Sequence, residues 1–90
     1  MGTAVVKIKV MPVSPEVDLE SMKEEVKSKI EGMGGKGCNI EEEEVAFGLK
    51  AIITFFAWPE EIELESLEQT LQEIKDVNSV QIIDIRRAVG

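Results

Sequence analysis

Few side chains in this 90-residue chain have the chemistry that covalent catalysis needs. The sequence contains no histidine and a single cysteine, Cys38. Because histidine is the commonest general base and metal ligand, a serine–histidine–aspartate triad, a cysteine–histidine pair and a zinc site are excluded. A lone cysteine cannot form an intramolecular disulfide. We therefore expect neither covalent catalysis nor a metal site, and we interpret Cys38 as a small apolar residue near the start of a strand.

A glycine-rich segment, Gly32–Gly37, matches the pattern G-x-G-x-x-G. In dinucleotide-binding folds this pattern follows a strand and opens a helix, whose N-terminus holds the pyrophosphate. Here the pattern follows a predicted helix and leads into a strand. It continues with Cys38 rather than the Lys-Ser or Lys-Thr of a phosphate-binding loop. We predict a flexible connection between helix and strand, and no nucleotide cofactor.

Two groups of charged residues are better candidates for contact with a partner. Glu41–Glu44 is a run of four acids in an extended segment. Neighbouring residues of a strand point to opposite faces, so these carboxylates do not converge on a cation. The run protects an edge strand from pairing, contacts a basic partner, or does both. Arg86 and Arg87 are the only arginines, and they form either a solvated pair or a contact with carboxylate or phosphate.

Composition and charge limit the class of protein. With 10 basic and 18 acidic residues, the net charge is −8, which argues against direct binding to nucleic acid and favours a basic protein partner. A hydrophobic fraction of 43% is that of a folded chain, and the length predicts a single domain over residues 1–90. The longest apolar stretch, Ala51–Trp58, is too short to span a membrane. The N-terminus lacks the pattern of a signal peptide, so we expect a cytoplasmic protein.

Hydrophobic periodicity predicts the elements that carry these residues. Alternating apolar residues indicate strands, and apolar residues spaced by three and four indicate amphipathic helices. The predicted elements are a strand over Ala4–Met11, a helix after the N-cap Asp18 that ends at the glycines from Gly32, strands over Asn39–Ala46 and Leu49–Trp58, a helix over Ile62–Ile74 that Asp76 and Asn78 break, and a strand over Val80–Ile85. The order βαββαβ predicts an α+β ferredoxin-like sandwich, a four-stranded antiparallel sheet with two helices on one face.

The third strand is apolar on both faces, and the helices cover only one of them. In this topology the first and third strands are central. The uncovered face is therefore either a contact surface or a shallow patch that the stems of Lys7, Lys9 and Lys50 shield.

Several segments are similar to archaeal elongation factor 1-beta, and together they extend over almost the whole chain. Glu43–Ala51 resembles the family's E-E-x-x-A-F-G-L segment. The run Ile8–Pro12, with Ser14-Pro15 and Val17–Leu19, resembles its N-terminal signature, and Val77–Val80 with Asp84–Arg87 resembles its C-terminal segment. The family's fold is the ferredoxin-like βαββαβ domain, in agreement with the order of elements above.

The resemblance implies a guanine-nucleotide exchange factor for elongation factor 1-alpha, the GTPase that carries aminoacyl-tRNA to the ribosome. Such a factor needs neither a cofactor nor covalent chemistry of its own. The partner contacts that it implies are Phe47 and Gly48 beside Glu43 and Glu44, and the C-terminal end with Arg86, Arg87 and Gly90. Eukaryotic relatives place a lysine near the last residue, but this chain ends Ala88-Val89-Gly90. Either Arg86 or Arg87 supplies the charge instead, or exchange proceeds differently.

The predicted topology separates these contacts. Phe47-Gly48 joins the second and third strands at one end of the sheet, whereas Arg86, Arg87 and Gly90 lie at the other. At about 3.3 Å per residue, a strand of about nine residues separates them by roughly 30 Å.

Two other functions are compatible with the fold. A small-molecule-sensing regulatory domain would act as a homodimer through the open sheet face, whereas we expect the exchange factor to be a monomer when isolated. An acylphosphatase-like hydrolase needs an arginine in the first loop, and Pro12–Val17 contains none.

Overall fold

A computed structural model describes residues 2–46 and 48–88 and has six elements. They are β1 (Thr3–Pro12), α1 (Leu19–Gly32), β2 (Lys36–Ala46), β3 (Leu49–Pro59), α2 (Leu64–Gln72) and β4 (Val77–Ala88). The strands form one antiparallel sheet in the order β2-β3-β1-β4. The predicted α+β ferredoxin-like fold is confirmed, with β1 and β3 at the centre of the sheet. Neither helix is long and apolar enough to cross a membrane.

The core lies between the helices and one face of the sheet. In β1 every second residue from Ala4 to Val10 is buried, as the alternating sequence predicted. Their partners on β3 include Ile52 and Phe56, which are also buried. The helices contribute the buried side chains of Met22, Val26, Ile30, Leu67 and Leu71. Burial of these apolar side chains is the main stabilising contribution to such a two-layer domain.

Trp58 connects β3 to the segment before α2. Its ring is 2% exposed and packs edge-on against Phe56, with ring centroids 5.9 Å apart. Its Nε1–H donates a hydrogen bond of 2.9 Å to the carbonyl oxygen of Ile62. Because this indole N–H is paired, the large ring is buried without the cost of an unsatisfied donor.

The face of the sheet away from the helices, called here the open face, is shielded by its own side chains at its centre, whereas Val5 near one end is 44% exposed. Ala51 and Ile53 lie on this face, and they are 0% and 4% exposed. Beside them on β1, Lys7 and Lys9 are half-buried, and the Lys7 ammonium lies 4.9 Å from the centroid of the Phe55 ring. The predicted shielding by lysine stems is confirmed for Lys7 and Lys9.

Lys50 does not shield the open face, contrary to the prediction. It lies in register with Glu44 and alternates with the open-face residue Ala51, so it points to the helix side. There its ammonium lies 3.7 Å from a carboxylate oxygen of Glu42. Lys50 therefore shares the face of Ile52, which is buried in the core.

Three elements have bounds that differ from the prediction. β2 begins at Lys36 rather than Asn39, so the glycine-rich segment is partly strand, and Gly37 has a positive φ of 63° where the register shifts. The second helix is shorter than predicted, Leu64–Gln72 rather than Ile62–Ile74. β4 begins at Val77, so Asn78 lies in the strand and Asp76, with φ of 73°, makes the turn before it.

Candidate partner-binding site

The candidate residues that the structure describes lie at opposite ends of the sheet. Arg87 is in register with Ala4, which is in register with Trp58 at the end of β3. Gly48 precedes Leu49, the first residue of β3. At about 3.3 Å per residue, the nine steps from Leu49 to Trp58 correspond to roughly 30 Å. The predicted separation of Gly48 from Arg86 and Arg87 is confirmed, whereas Phe47 and Gly90 lie outside the described residues.

The end of the sheet at Gly48, called here the hairpin end, is formed by three connections. Ala46 of β2 and Leu49 of β3 are in register, and Gly48, just before β3, has a positive φ of 79°. The loop after β1 is held against the turn before β4 by a hydrogen bond of 2.9 Å from the Val13 N–H to the carbonyl oxygen of Asp76. A shallow pocket of about 270 Å³ opens between these loops, lined by Pro12, Ser14, Pro15, Leu19, Gly48 and Lys50.

The acidic run Glu41–Glu44 alternates between the two faces of β2, as predicted. Its carboxylates do not converge, and the residues that the structure describes contain no group of three or more metal-binding side chains. Glu42 pairs with Lys23 of α1 at 2.5 Å, which lowers the pKa of its carboxyl group and raises the pKa of Lys23. Glu43 lies 3.9 Å from Lys9 on the open face. The run is therefore partly neutralised by lysines of the chain itself.

The other end of the sheet, called here the arginine end, carries Arg86 and Arg87 on opposite faces. Both belong to β4 rather than to a tail beyond it. Arg86 is in register with Val5 on the open face, and its Nε–H donates a hydrogen bond of 3.0 Å to Asp84. Arg87 is in register with Ala4 on the helix side, and its Nε–H donates a hydrogen bond of 2.7 Å to Glu60.

Glu60 was not singled out by the sequence, although it holds one of the two arginines. It follows Pro59, the last residue of β3, and its N–H donates a hydrogen bond of 3.0 Å to the carbonyl oxygen of Gly2. β3 and β4 are both antiparallel to β1, so their C-terminal residues lie at the same end of the sheet. The order of the strands could have predicted that Glu60 lies near the end of β4. Pairing Glu60 with Arg87 also requires that β4 extend to Arg87, which the predicted strand did not.

Cys38 has no catalytic features. Its side chain is half-buried against the core, and its Sγ lies 3.2 Å from the Oγ1 of Thr54, which is fully buried. Burial raises the pKa of the thiol, the opposite of what an activated nucleophile needs. The interpretation of Cys38 as a small apolar residue is confirmed.

Comparison with known families shows to which family the chain belongs. Residues 5–88 match the family described as EF-1 guanine nucleotide exchange domain. The chain belongs to this exchange-domain family. The resemblance to archaeal elongation factor 1-beta is thereby confirmed, and the chain is a translation elongation exchange factor.

Archaeal members of the exchange-domain family are similar along their whole length. Elongation factor 1-beta of Methanothermobacter thermautotrophicus is 40% identical over 88 residues, covering 97% of this chain and 98% of the relative. Elongation factor 1-beta of Methanocaldococcus jannaschii is 39% identical over 89 residues, covering 98% of this chain and 100% of the relative. The matched region therefore includes both ends of the sheet.

A solved structure of low sequence identity supports the fold alone. The protein described as BlrP1 BLUF has a TM-score of 0.58 and 15% sequence identity, covering 100% of this chain and 57% of that chain. At this identity the similarity concerns the path of the backbone. It says nothing of function, because unrelated activities share this architecture.

Proposed function

We propose that residues 1–90 act as a single, monomeric exchange domain that releases GDP from elongation factor 1-alpha in the cytoplasm, so that GTP can bind. The observation that carries this proposal is the family match over residues 5–88, shared with relatives named elongation factor 1-beta. The alignment with this chain covers at least 98% of the length of these two relatives. The protein is not an enzyme in this proposal, since no covalent bond of a substrate is made or broken.

Exchange by such a domain follows from linkage between two binding equilibria. A protein that binds the nucleotide-free GTPase more tightly than the GDP-bound form must weaken GDP binding by the same factor. Contacts that displace the phosphate-bound magnesium ion or move the switch segments would supply this difference. These contacts require shape and charge rather than a nucleophile or a base, which agrees with the half-buried, deactivated thiol of Cys38.

We assign the contact with the GTPase to both ends of the sheet. The hairpin end would contribute Phe47 and Gly48, with Glu43 and Glu44 on the adjoining strand. The arginine end would contribute Arg86, Arg87 and Gly90. The separation of about 30 Å, at roughly 3.3 Å per strand residue, is too large for one small ligand and suits a multidomain GTPase.

The small-molecule sensor is not favoured. Four surface pockets of the described residues hold about 250–280 Å³ each, and one of them lies at each end of the sheet. Sites for small molecules are usually clefts of about 300–1,000 Å³ that enclose most of the ligand.

The proposal is tested by the release of fluorescent GDP from elongation factor 1-alpha. We expect the wild-type protein to accelerate release in a saturable manner. Glu24→Gln is a suitable control, since it removes one charge from an exposed position on α1 between the two ends. This variant should match the wild type. If an excess of folded wild-type protein leaves the release rate unchanged, the proposal is wrong.

A further inference from the structure

We propose that Arg87 is a positioning residue, which Glu60 holds so that the end of β4 is fixed, and that Arg86 is the arginine that contacts the GTPase. The inference rests on the exchange function proposed above and narrows its contact at the arginine end, because it gives separate roles to two adjacent, chemically identical side chains. It follows from what each guanidinium contacts and from the face of the sheet on which it lies.

Arg87 ties together elements that are distant in sequence. Its Nε–H donates to Oε2 of Glu60, which is 27 residues away and lies just after β3. Glu60 is itself bound to the start of β1 through its backbone N–H and the carbonyl oxygen of Gly2. The backbone of Ala88, the next residue along β4, is in register with Thr3 of β1. The ion pair therefore connects the last residues of β4 to the ends of both central strands.

The fit of the Glu60 carboxylate depends on Gly2. A Cβ at position 2 would overlap the carboxylate of Glu60, which lies directly above the glycine. An alanine at this position would displace the carboxylate at little cost, because the obstructing atoms are at the far end of a flexible side chain. The contact between Arg87 and Glu60 can thus be disturbed without changing either of these two charges.

In the part of the chain that the structure describes, the Arg86 side chain has no hydrogen bond or ion pair outside its own strand. Its ion-pair partner Asp84 is two residues away on β4. The side chains of Arg86 and Arg87 are equally exposed, at 81%, so the two arginines differ in their partners and not in their exposure. Arg86 faces the open side of the sheet, on the same face as Val5, which is 44% exposed. A guanidinium with one exposed local partner can exchange that partner for a carboxylate or phosphate of another protein.

The two roles predict different effects of neutralising Glu60. If Arg87 positions the end of β4, Glu60→Gln should lower the maximal rate of GDP release by about two- to fivefold, the range expected for an exposed ion pair. The concentration that gives half-maximal acceleration should stay unchanged, because the hairpin end still binds. If Arg87 instead contacts the GTPase, neutralising Glu60 should leave the rate unchanged or raise it, since the guanidinium becomes more available.

The experiment measures GDP release over a range of concentrations for the wild type, Glu60→Gln, Gly2→Ala, Arg87→Glu and the charge-exchanged double variant Glu60→Arg/Arg87→Glu. Glu61→Gln is the matched control, since it neutralises the adjacent exposed glutamate. We expect Glu60→Gln and Gly2→Ala to share the loss of maximal rate and Glu61→Gln to match the wild type. The double variant should recover most of the maximal rate that Arg87→Glu alone loses. Thermal unfolding checks that all variants are folded.

Three outcomes would overturn the assignment. Wild-type rates for both Glu60→Gln and Gly2→Ala would show that the ion pair does not act in exchange. A double variant that is no better than Arg87→Glu alone would show that the Arg87 charge itself contacts the GTPase. If the wild type does not accelerate release at all, the exchange function fails and the positioning role fails with it, a result distinct from the first two.

Discussion

Gly48 and Gly32 are alike in the space around them and different in backbone conformation. Apart from the chain neighbours of each glycine and the backbone of α1 itself, no heavy atom of the described residues lies within 4 Å of the place where a Cβ would lie. Gly48 has a positive φ of 79° in the turn between β2 and β3, whereas Gly32 ends the helix α1 with an ordinary negative φ. An added methyl group causes no steric clash at either position, so its effect on stability depends on the backbone conformation. L-residues are disfavoured at positive φ.

We expect opposite effects from the two alanine substitutions. Gly48→Ala should lower the free energy of unfolding by about 1–2 kcal/mol, because alanine is strained in the left-handed region. Gly32→Ala should leave it unchanged or raise it by up to about 1 kcal/mol, because alanine favours the helix and restricts the unfolded chain. Urea unfolding measures both. Equal losses in the two variants would contradict this explanation.

At the scale of single elements, the two helices begin differently. Asp18 caps α1, and its Oδ1 accepts hydrogen bonds from the N–H groups of Glu20 and Ser21 at 3.1 and 3.5 Å. Glu63 occupies the same position before α2, but its side chain accepts no capping hydrogen bond. α1 therefore gains stability at its start that α2 lacks.

This difference predicts unequal effects of alanine at the two caps. Asp18→Ala should lower the free energy of unfolding by about 1 kcal/mol, because two N–H groups of the first turn lose their acceptor. Glu63→Ala is the matched control and should change it by less than about 0.5 kcal/mol, because no capping bond is lost. Chemical denaturation of the two variants compares them directly. A larger loss for Glu63→Ala would contradict the assignment of the caps.

α1 is tied to the edge strand β2 by a small network of charges. Lys23 lies 2.5 Å from one oxygen of Glu42 and 3.3 Å from Glu20, and Lys50 lies 3.7 Å from the other Glu42 oxygen. The hydrogen bond with Lys23 is the largest cause of the lowered pKa of the Glu42 carboxyl group. Glu42 thus connects a helix to the sheet instead of being free to bind a partner.

The lowered pKa predicts how the stability depends on pH. Because the folded-state pKa of Glu42 lies below its unfolded value, near 4.3, the contact stabilises the fold above that value and is lost as the pH falls through the folded-state pKa. Glu42→Gln should therefore be less stable than the wild type at pH 5–8, and the difference should shrink as the pH falls below about 4.

Unfolding midpoints in urea, measured from pH 3 to pH 7, test this dependence. Glu24→Gln is the control. Glu24 lies on α1, the helix that carries Lys23, and its carboxylate forms no ion pair among the described residues. A difference between Glu42→Gln and the wild type that stays constant over the whole range would contradict the contribution of the ion pair.

The sequence predicted those elements whose local pattern and tertiary environment agree. β1 alternates regularly, and all four of its inward residues from Ala4 to Val10 are buried. β4 was predicted as Val80–Ile85, a range that already includes the bulge at Ile83, and it is too short at both ends. At its start Asn78 has the composition of a breaker, and at its end Arg86 and Arg87 interrupt the apolar pattern. The segment from Lys36 to Cys38 was predicted to connect the first helix to the second strand, because its glycine is typical of a loop and its strand pattern is weak.

The candidate site was predicted only in part. Arg86 and Arg87 were recognised as a pair, and the order of elements placed them at the end of the sheet opposite Gly48, which the register confirms. Their division between two faces depends on β4 continuing through them. Glu60 depends on a contact across 27 residues, which no local pattern encodes.

At the scale of the whole molecule, the shape follows the sheet. The chain measures 42 × 20 × 18 Å. Strands of 11 and 12 residues, such as β3 and β4, extend over roughly 35–40 Å at about 3.3 Å per residue, so the long axis runs along the strands. The hairpin end and the arginine end are thus the two tips of an elongated molecule. A partner that contacts both must extend along most of its length.

This shape makes point substitutions better probes than a truncation. Arg86, Arg87 and Ala88 are in register with Val5, Ala4 and Thr3, so deleting the chain from Arg86 onward would remove three pairs from the sheet. The resulting loss of structure would be confused with a loss of contact. Phe47→Ala at the hairpin end and Arg86→Gln at the arginine end each change one side chain.

We expect the two substitutions to affect different steps of exchange. Phe47→Ala should raise the concentration needed for half-maximal GDP release by about tenfold or more, as for a buried aromatic contact, with the maximal rate recovered at high concentration. Arg86→Gln should lower the maximal rate by about tenfold, the effect of losing a charge-assisted hydrogen bond, while binding persists through the other tip. Because the tips are about 30 Å apart, the double variant should combine the two effects additively.

Binding titrations and GDP-release rates are measured for the single and double variants. Together they separate the effect on affinity from the effect on the maximal rate. Thermal unfolding is the control, because a loss of about 3–5 kcal/mol for Phe47→Ala would place this ring in the core rather than at a contact. If each single variant loses affinity and maximal rate in the same proportion, the tips do not have separate roles. Strong non-additivity in the double variant would contradict independent contacts at the two tips, since distant sites that share no partner group contribute separately to the free energy.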